Sequence, residues 1–223
     1  MRGDILYENP LSTPEDLEGF RLEGEARMSF ERGALRLSSV LDASLGQKAN
    51  YVLWCPEVFP ARIRIEWEFR PVTEPGLAIL FFGAVGRGGE SIFDEALAPR
   101  DGQYSQYHHG DIDAFHVSYF RRKEPDERAF HTCNLRKSYG FQLVAQGADP
   151  IPDADASDDG AWYRMALTQT PEEVTFTIND LRIFSYEDDG AAYGPRLTSG
   201  GRIGFRQLAP MIGEYRGLRV SAL

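Results

Sequence analysis

WYRMALTQT (162–170), EVTFTIN (173–179), LRIFSYED (181–188), GRIGFRQL (201–208) and LRVSAL (218–223) succeed one another near the end of the chain, and they decide the fold. Each alternates apolar with polar residues over a few positions, the period of a half-buried strand, and each is rich in β-branched or aromatic side chains. The breaks carry turn chemistry, as at Thr170-Pro171-Glu172 and Asn179-Asp180. Working back toward the N-terminus, ARMSFERGALRLSS (26–39) reads as a hairpin turning at Glu31-Arg32-Gly33. YVLWC (51–55) and ARIRIEWEFRPV (61–72) are further strands, and the unbroken apolar run LAILFFGA (77–84) predicts a strand covered on both faces. Only PEDLEG (14–19) and SIFDEALAP (91–99) offer a turn or two of helix. Short strands punctuated by Gly, Pro and Asp point to an all-β sandwich or jelly roll of antiparallel sheets, not to a βαβ fold.

The 223 residues are 42% hydrophobic, enough for a sizeable core, and no linker divides them, so one domain over 1–223 is expected. The acidic, proline-containing QGADPIPDADASDDGAW (146–162) reads as a long surface loop. A net charge of -10 argues against nucleic acid and against an anionic membrane surface as partners. Positive charge is local, however: Arg121, Arg122, Lys123, Arg128, Arg136 and Lys137 crowd one stretch. No apolar run has the length of a signal-peptide core or a membrane span, so the expected location is the cytoplasm. Cys55 and Cys133 lack metal-site spacing and are expected to be buried thiols.

All four histidines, His108, His109, His116 and His131, fall in the window 108–131, which overlaps that stretch. Imidazole titrates nearest to neutral pH, and Arg, Asn and Tyr gather beside it, which marks a candidate site. Strand parity sorts the side chains. In RIRIEWEFR (62–70), Ile63, Ile65, Trp67 and Phe69 form the apolar row, leaving Arg64, Glu66 and Glu68 on the other face. In AFHVSYF (114–120), Phe115, Val117 and Tyr119 turn inward, leaving His116 and Ser118. In HTCNLRK (131–137), Cys133 and Leu135 mark the buried row, so Asn134 and Arg136 face out and His131 reads as a core histidine. If these strands are neighbours, Arg64, Glu66, Glu68, His116, Ser118, Asn134 and Arg136 share one polar floor. Such a floor suits a saccharide, with Trp54 or Tyr107 available for stacking on sugar faces. The competing reading is a solvated face with ion pairs such as Arg64 with Glu66.

The runs YHHGDIDAFHVSYFRR (107–122) and RAFHTCNLRKSYGFQLVAQGADPIPD (128–153) resemble the YesU-like family of bacterial unknown-function domains. The resemblance implies a concanavalin A-like jelly-roll β-sandwich of two antiparallel sheets. It also implies a link to bacterial use of plant cell-wall polysaccharide, rhamnogalacturonan in particular. The positions that carry it include Tyr107, His109, His116, Ser118, Asn134, Arg136 and Lys137. No catalytic assignment comes with it, and a shared fold is weak warrant for chemistry.

Three functions follow as expectations. A lyase would neutralise a uronate carboxylate with Arg136 and Asn134 and take the adjacent proton with His116. Tyr107 would be its acid, on its place in the motif alone. Arg64, Glu66, Glu68, His109, Ser118, Trp54 and Lys137 would then contact the sugar. A glycoside hydrolase would need two carboxylates at suitable spacing, for which Glu66 and Glu68 are the available pair. A non-catalytic carbohydrate-binding or accessory protein needs neither. No cofactor is expected. Asp111 and Asp113 leave Ca²⁺ open, although two acids in a turn more often cap backbone amides. His108 and His109 point apart in an extended segment, which disfavours zinc.

Overall fold

The structure is a computed structural model, and it describes residues 3–154 and 160–223. Its strands, in chain order, begin with β1 (Ile5–Asn9), β2 (Arg21–Glu23), β3 (Ala26–Glu31), β4 (Ala34–Ser39) and β5 (Tyr51–Trp54). There follow β6 (Ile63–Thr73), β7 (Ala78–Gly86), β8 (Ile112–Tyr119), β9 (Thr132–Ser138) and β10 (Gln142–Ala148). The last are β11 (Tyr163–Gln169), β12 (Glu173–Ile178), β13 (Leu181–Glu187), β14 (Arg202–Gln207) and β15 (Ile212–Ala222). Two short helices, α1 (Ser105–His108) and α2 (Pro125–Ala129), interrupt them. All named strand pairs are antiparallel.

The strands form two sheets. One has seven strands in the order β10-β9-β8-β7-β14-β5-β2; the other has eight, ordered β13-β12-β11-β6-β15-β4-β3 with β1 also on β15. Between them lie the apolar rows that alternation predicts: Ile63, Ile65, Trp67 and Phe69 from one sheet against Phe115, Val117, Tyr119, Cys133 and Leu135 from the other. The all-β sandwich is therefore as expected. The 26–39 hairpin turns on Arg32 and Gly33, at φ 52° and 76°, the left-handed pair that a tight two-residue turn requires.

A second apolar cluster covers the outer face of the seven-stranded sheet. Ile79 and Phe81 of β7, Val52 and Trp54 of β5 and Ala114 of β8 lie under Ile92, Phe93, Leu97, Tyr104 and Tyr107 of the 87–111 segment. This is why LAILFFGA carries no polar alternation: both its faces are buried. The segment is fastened by Phe93, whose ring centroid lies 4.4 Å from the guanidinium groups of both Arg21 and Arg202.

Three expectations change. SIFDEALAP folds as turns without a helix, whereas PEDLEG does supply a 3-10 turn over Pro14–Leu17. The 146–162 stretch begins inside β10 and buries Asp149 and Ile151; its residues 155–159 lie outside the described residues. Most consequentially, β6 pairs with β11 and β15, in the sheet opposite β8 and β9. Arg64, Glu66 and Glu68 therefore do not share a floor with His116. Alternation reports which face a residue takes, but strand neighbours are set by contacts distant in sequence.

Candidate functional site

Register places the site. His116 on β8 stands opposite Arg136 on β9, and Ser118 stands opposite Asn134. The row continues across the sheet, since Ser118 is opposite Ile79 on β7 and Ile79 is opposite Arg206 on β14. Alternation turns all of these to the outer face, where the 87–111 segment roofs part of the row with Tyr104. The result is a cavity of about 90 Å³ lined by Tyr104, Ser118, Arg121, Glu127, Asn134, Arg136, Phe141 and Arg206, with Leu77, Ile79 and Leu208 as its apolar wall.

His116 is fully buried, its ring against Phe81 and its Nε2 2.5 Å from the Tyr104 hydroxyl. Its Nδ1 has no partner among the described residues. Burial, reinforced by Arg136, Arg206 and His108, holds the imidazole well below its usual pKa, so it is neutral at pH 7. Burial also pushes the Tyr104 phenol up to about 12, against the pull of Arg206, Arg136 and Arg121. Tyr104 lines the cavity and His116 does not, so a ligand meets the phenol and reaches the imidazole only through it.

The charges around the cavity are unbalanced. Arg121 pairs with Glu127 at 2.6 Å and donates to Thr132. Arg136 donates to the Phe141 carbonyl oxygen at 2.9 Å and lies 3.6 Å from that ring's centroid, with no acid partner among the described residues. Arg206 is fully buried beneath Tyr104. Its Nη2 donates to Gln47 and to the Gly102 carbonyl oxygen, while Nε and Nη1 donate to nothing described. Burial brings it down only to about 10, so it stays charged at neutral pH. The Asn134 side-chain oxygen accepts from Gln146 Nε2 at 2.7 Å, or, with the amide turned over, from Arg121 Nη1 at 3.0 Å.

Of the residues chosen from sequence, the fold brings together His116, Ser118, Asn134 and Arg136. The rest are elsewhere. Tyr107 is buried, its hydroxyl donating to Glu23 at 2.8 Å and accepting from the Gly102 N–H, so it anchors the covering segment. Trp54 is buried under that segment. His109 is exposed and lines a separate cleft with Arg100, Gln106 and Asp111. Lys137 points inward and pairs with Asp188 at 2.7 Å. Arg64 pairs with Glu66 at 3.0 Å, and Glu68 pairs with Arg216 at 2.6 Å, on the outer face of the other sheet. His131 precedes β9, so alternation does not govern it; it is part-exposed, 3.6 Å from Asp153. Asp111 accepts from the Ala98 N–H and Asp113 faces Arg87 at 3.9 Å. Among the described residues no three His, Cys, Asp or Glu side chains are grouped to hold a metal.

Sequence reasoning missed Tyr104, Phe141 and Arg206, and saw Arg121 only as part of the basic strip. Alternation in GRIGFRQL does send Arg206 away from the core, but nothing local says that β14 lies two strands from β8.

The neutral, buried His116 makes stability depend on pH. In the unfolded chain an imidazole binds its proton near pH 6.5, while folded His116 does not, so the unfolded state gains protons as pH falls and stability drops. Between pH 7.5 and 5.5 this group alone is expected to cost about 1.4 kcal/mol. Urea unfolding at the two pH values checks it: His116→Gln should flatten the slope, and an unchanged slope would contradict the assignment.

Comparison with known proteins agrees with this architecture. The "Uncharacterized protein YesU" of Bacillus subtilis (strain 168) is 50% identical over 218 residues, covering 98% of this chain and 96% of that protein. A crystal structure of a protein of unknown function with a galectin-like fold, from Bacillus subtilis, superposes with a TM-score of 0.93 at 49% identity, covering 100% of this chain and 97% of that one. The carbohydrate recognition domain of Emp47p shares the fold at a TM-score of 0.61 and 15% identity, covering 98% and 97% of the two chains. Residues 4–220 match the family described as "Domain of unknown function (DUF1961)", and with half of its residues shared with YesU, this chain belongs to that family.

Proposed function

We propose that the protein acts on acidic saccharide fragments, of the rhamnogalacturonan type that the family resemblance implies, and cleaves them by β-elimination. The observation that carries this reading is the convergence of Arg121, Arg136 and Arg206 with the Asn134 amide on one small cavity beside the neutral Tyr104–His116 couple. Guanidinium groups neutralise a uronate carboxylate and make the adjacent C–H acidic. Tyr104 takes that ring proton in the same concerted transfer in which it hands its own to His116 Nε2. A carbon–carbon double bond forms, the glycosidic C–O bond breaks, and the departing oxygen collects the proton from Tyr104. His116 then returns the proton it held. Half-exposed Phe141 at the cavity offers an aromatic face to the sugar.

A second reading, non-catalytic saccharide binding, is favoured by the small size of the cavity and by the fold shared with the Emp47p carbohydrate recognition domain. Hydrolysis by Glu66 and Glu68 has less support, because both carboxylates are engaged by arginines on the other sheet. Incubation with galacturonate-containing oligosaccharides separates the three. Elimination yields an ultraviolet-absorbing unsaturated sugar, hydrolysis yields reducing ends without it, and binding yields neither. Absence of the unsaturated product across free-acid pectic oligosaccharides would overturn the lyase reading.

A further inference from the structure

Arg206 is the most unusual side chain in the site. A guanidinium offers five N–H donors and keeps its charge at any ordinary pH. Here it is buried, and Nε and Nη1 have no partner among the described residues. A buried charge with idle donors is costly unless an anion completes it. No carboxylate of the described chain does so: Glu127 is the acid at the cavity, and it is engaged by Arg121. Arg206 and Arg136 thus stand at one cavity as two cations without counter-charges.

Size narrows the ligand. The cavity, about 90 Å³, is small beside the roughly 300–1,000 Å³ of pockets that enclose a whole small ligand. A carboxylate fits inside it, with the pyranose ring placed toward the mouth beside half-exposed Phe141.

We propose that Arg206 and Arg136 form a carboxylate seat, and that the site consequently selects free uronic acids and rejects their methyl esters and neutral sugars. The proposal rests on the reading above only in taking the carboxylate to belong to a saccharide. Esterification removes the charge, so both guanidinium groups go unmatched. A site built around such donors discriminates strongly against the analogue that cannot pair with them.

Calorimetric titration of the full chain with trigalacturonate, its methyl ester and neutral galactotriose tests the selection. The free acid is expected to bind about 100-fold more tightly than either of the others. Arg136→Gln and Arg206→Met should each weaken the acid at least about tenfold and leave the ester unchanged. Circular dichroism establishes that each variant is folded, and Arg136→Gln serves alone if Arg206→Met is not. Equal affinity for acid and ester, or full affinity in a folded Arg206→Met, would overturn the seat while leaving saccharide binding intact. If no saccharide binds, yet acetate raises the melting temperature of the wild type and not of Arg136→Gln, the seat stands and the saccharide reading falls. Acetate without effect, in that case, overturns both.

Discussion

Tyr104→Phe is expected to lower production of unsaturated sugar by about 10²- to 10⁴-fold, the usual contribution of a positioned acid–base group, while leaving affinity for trigalacturonate nearly unchanged. The reason is geometric. The phenol stands between the cavity and His116, with 2.5 Å from its oxygen to Nε2, and the imidazole has no surface of its own. Phenylalanine preserves the ring over Arg206 and removes only the oxygen that moves the proton. His116→Gln should also slow turnover, because the phenol loses its proton acceptor, and kcat should fall with KM little altered. Tyr107→Phe, by contrast, should act through stability: it breaks the hydrogen bonds to Glu23 and from the Gly102 N–H, and Tyr107 does not line the cavity. A fully active Tyr104→Phe protein would remove the phenol from the chemistry.

Asp188→Ala is expected to cost about 3–5 kcal/mol of folding free energy without changing sugar affinity. Lys137 and Asp188 are each 2% exposed and 2.7 Å apart, and the ammonium also donates to the Gly194 carbonyl oxygen. Removing the carboxylate leaves a buried cation with one neutral acceptor. The exposed Arg62–Glu172 pair lies at a similar 2.9 Å, yet its removal should cost under about 1 kcal/mol, because water replaces either partner there. The double substitution Lys137→Met with Asp188→Leu should recover most of the loss, since apolar side chains of similar size often replace a buried pair at little cost. Denaturant midpoints for the three proteins decide the matter; a loss below about 1 kcal/mol for Asp188→Ala would mean that the pair is hydrated.

These residues show where sequence reading succeeded and where it stopped. Lys137 and Arg136 are adjacent in a basic run and look equivalent as letters, yet the pleat sends one toward the core and the other to the cavity. Alternation was sufficient to place Arg136 and Asn134 on the outer face with His116 and Ser118, because those strands are neighbours in both chain and sheet. It failed for Glu66 and Glu68: their row was identified correctly, but the strand that carries it pairs with β11 and β15. Tyr107 and Tyr104 lie three positions apart on the covering segment, and no periodicity distinguishes the one that anchors it from the one that faces the cavity.

The strands, the rows turned to the core and the antiparallel sandwich are legible in the letters, because a strand's pleat and the cost of burying charge act over a few adjacent residues. The cavity is not. It exists because β14 is laid beside β7 and because the segment that directly follows β7, some hundred residues before β14 in the chain, folds over both. Only that closure strips water from Arg206, brings a phenol onto His116, and converts scattered polar residues into one charged pocket.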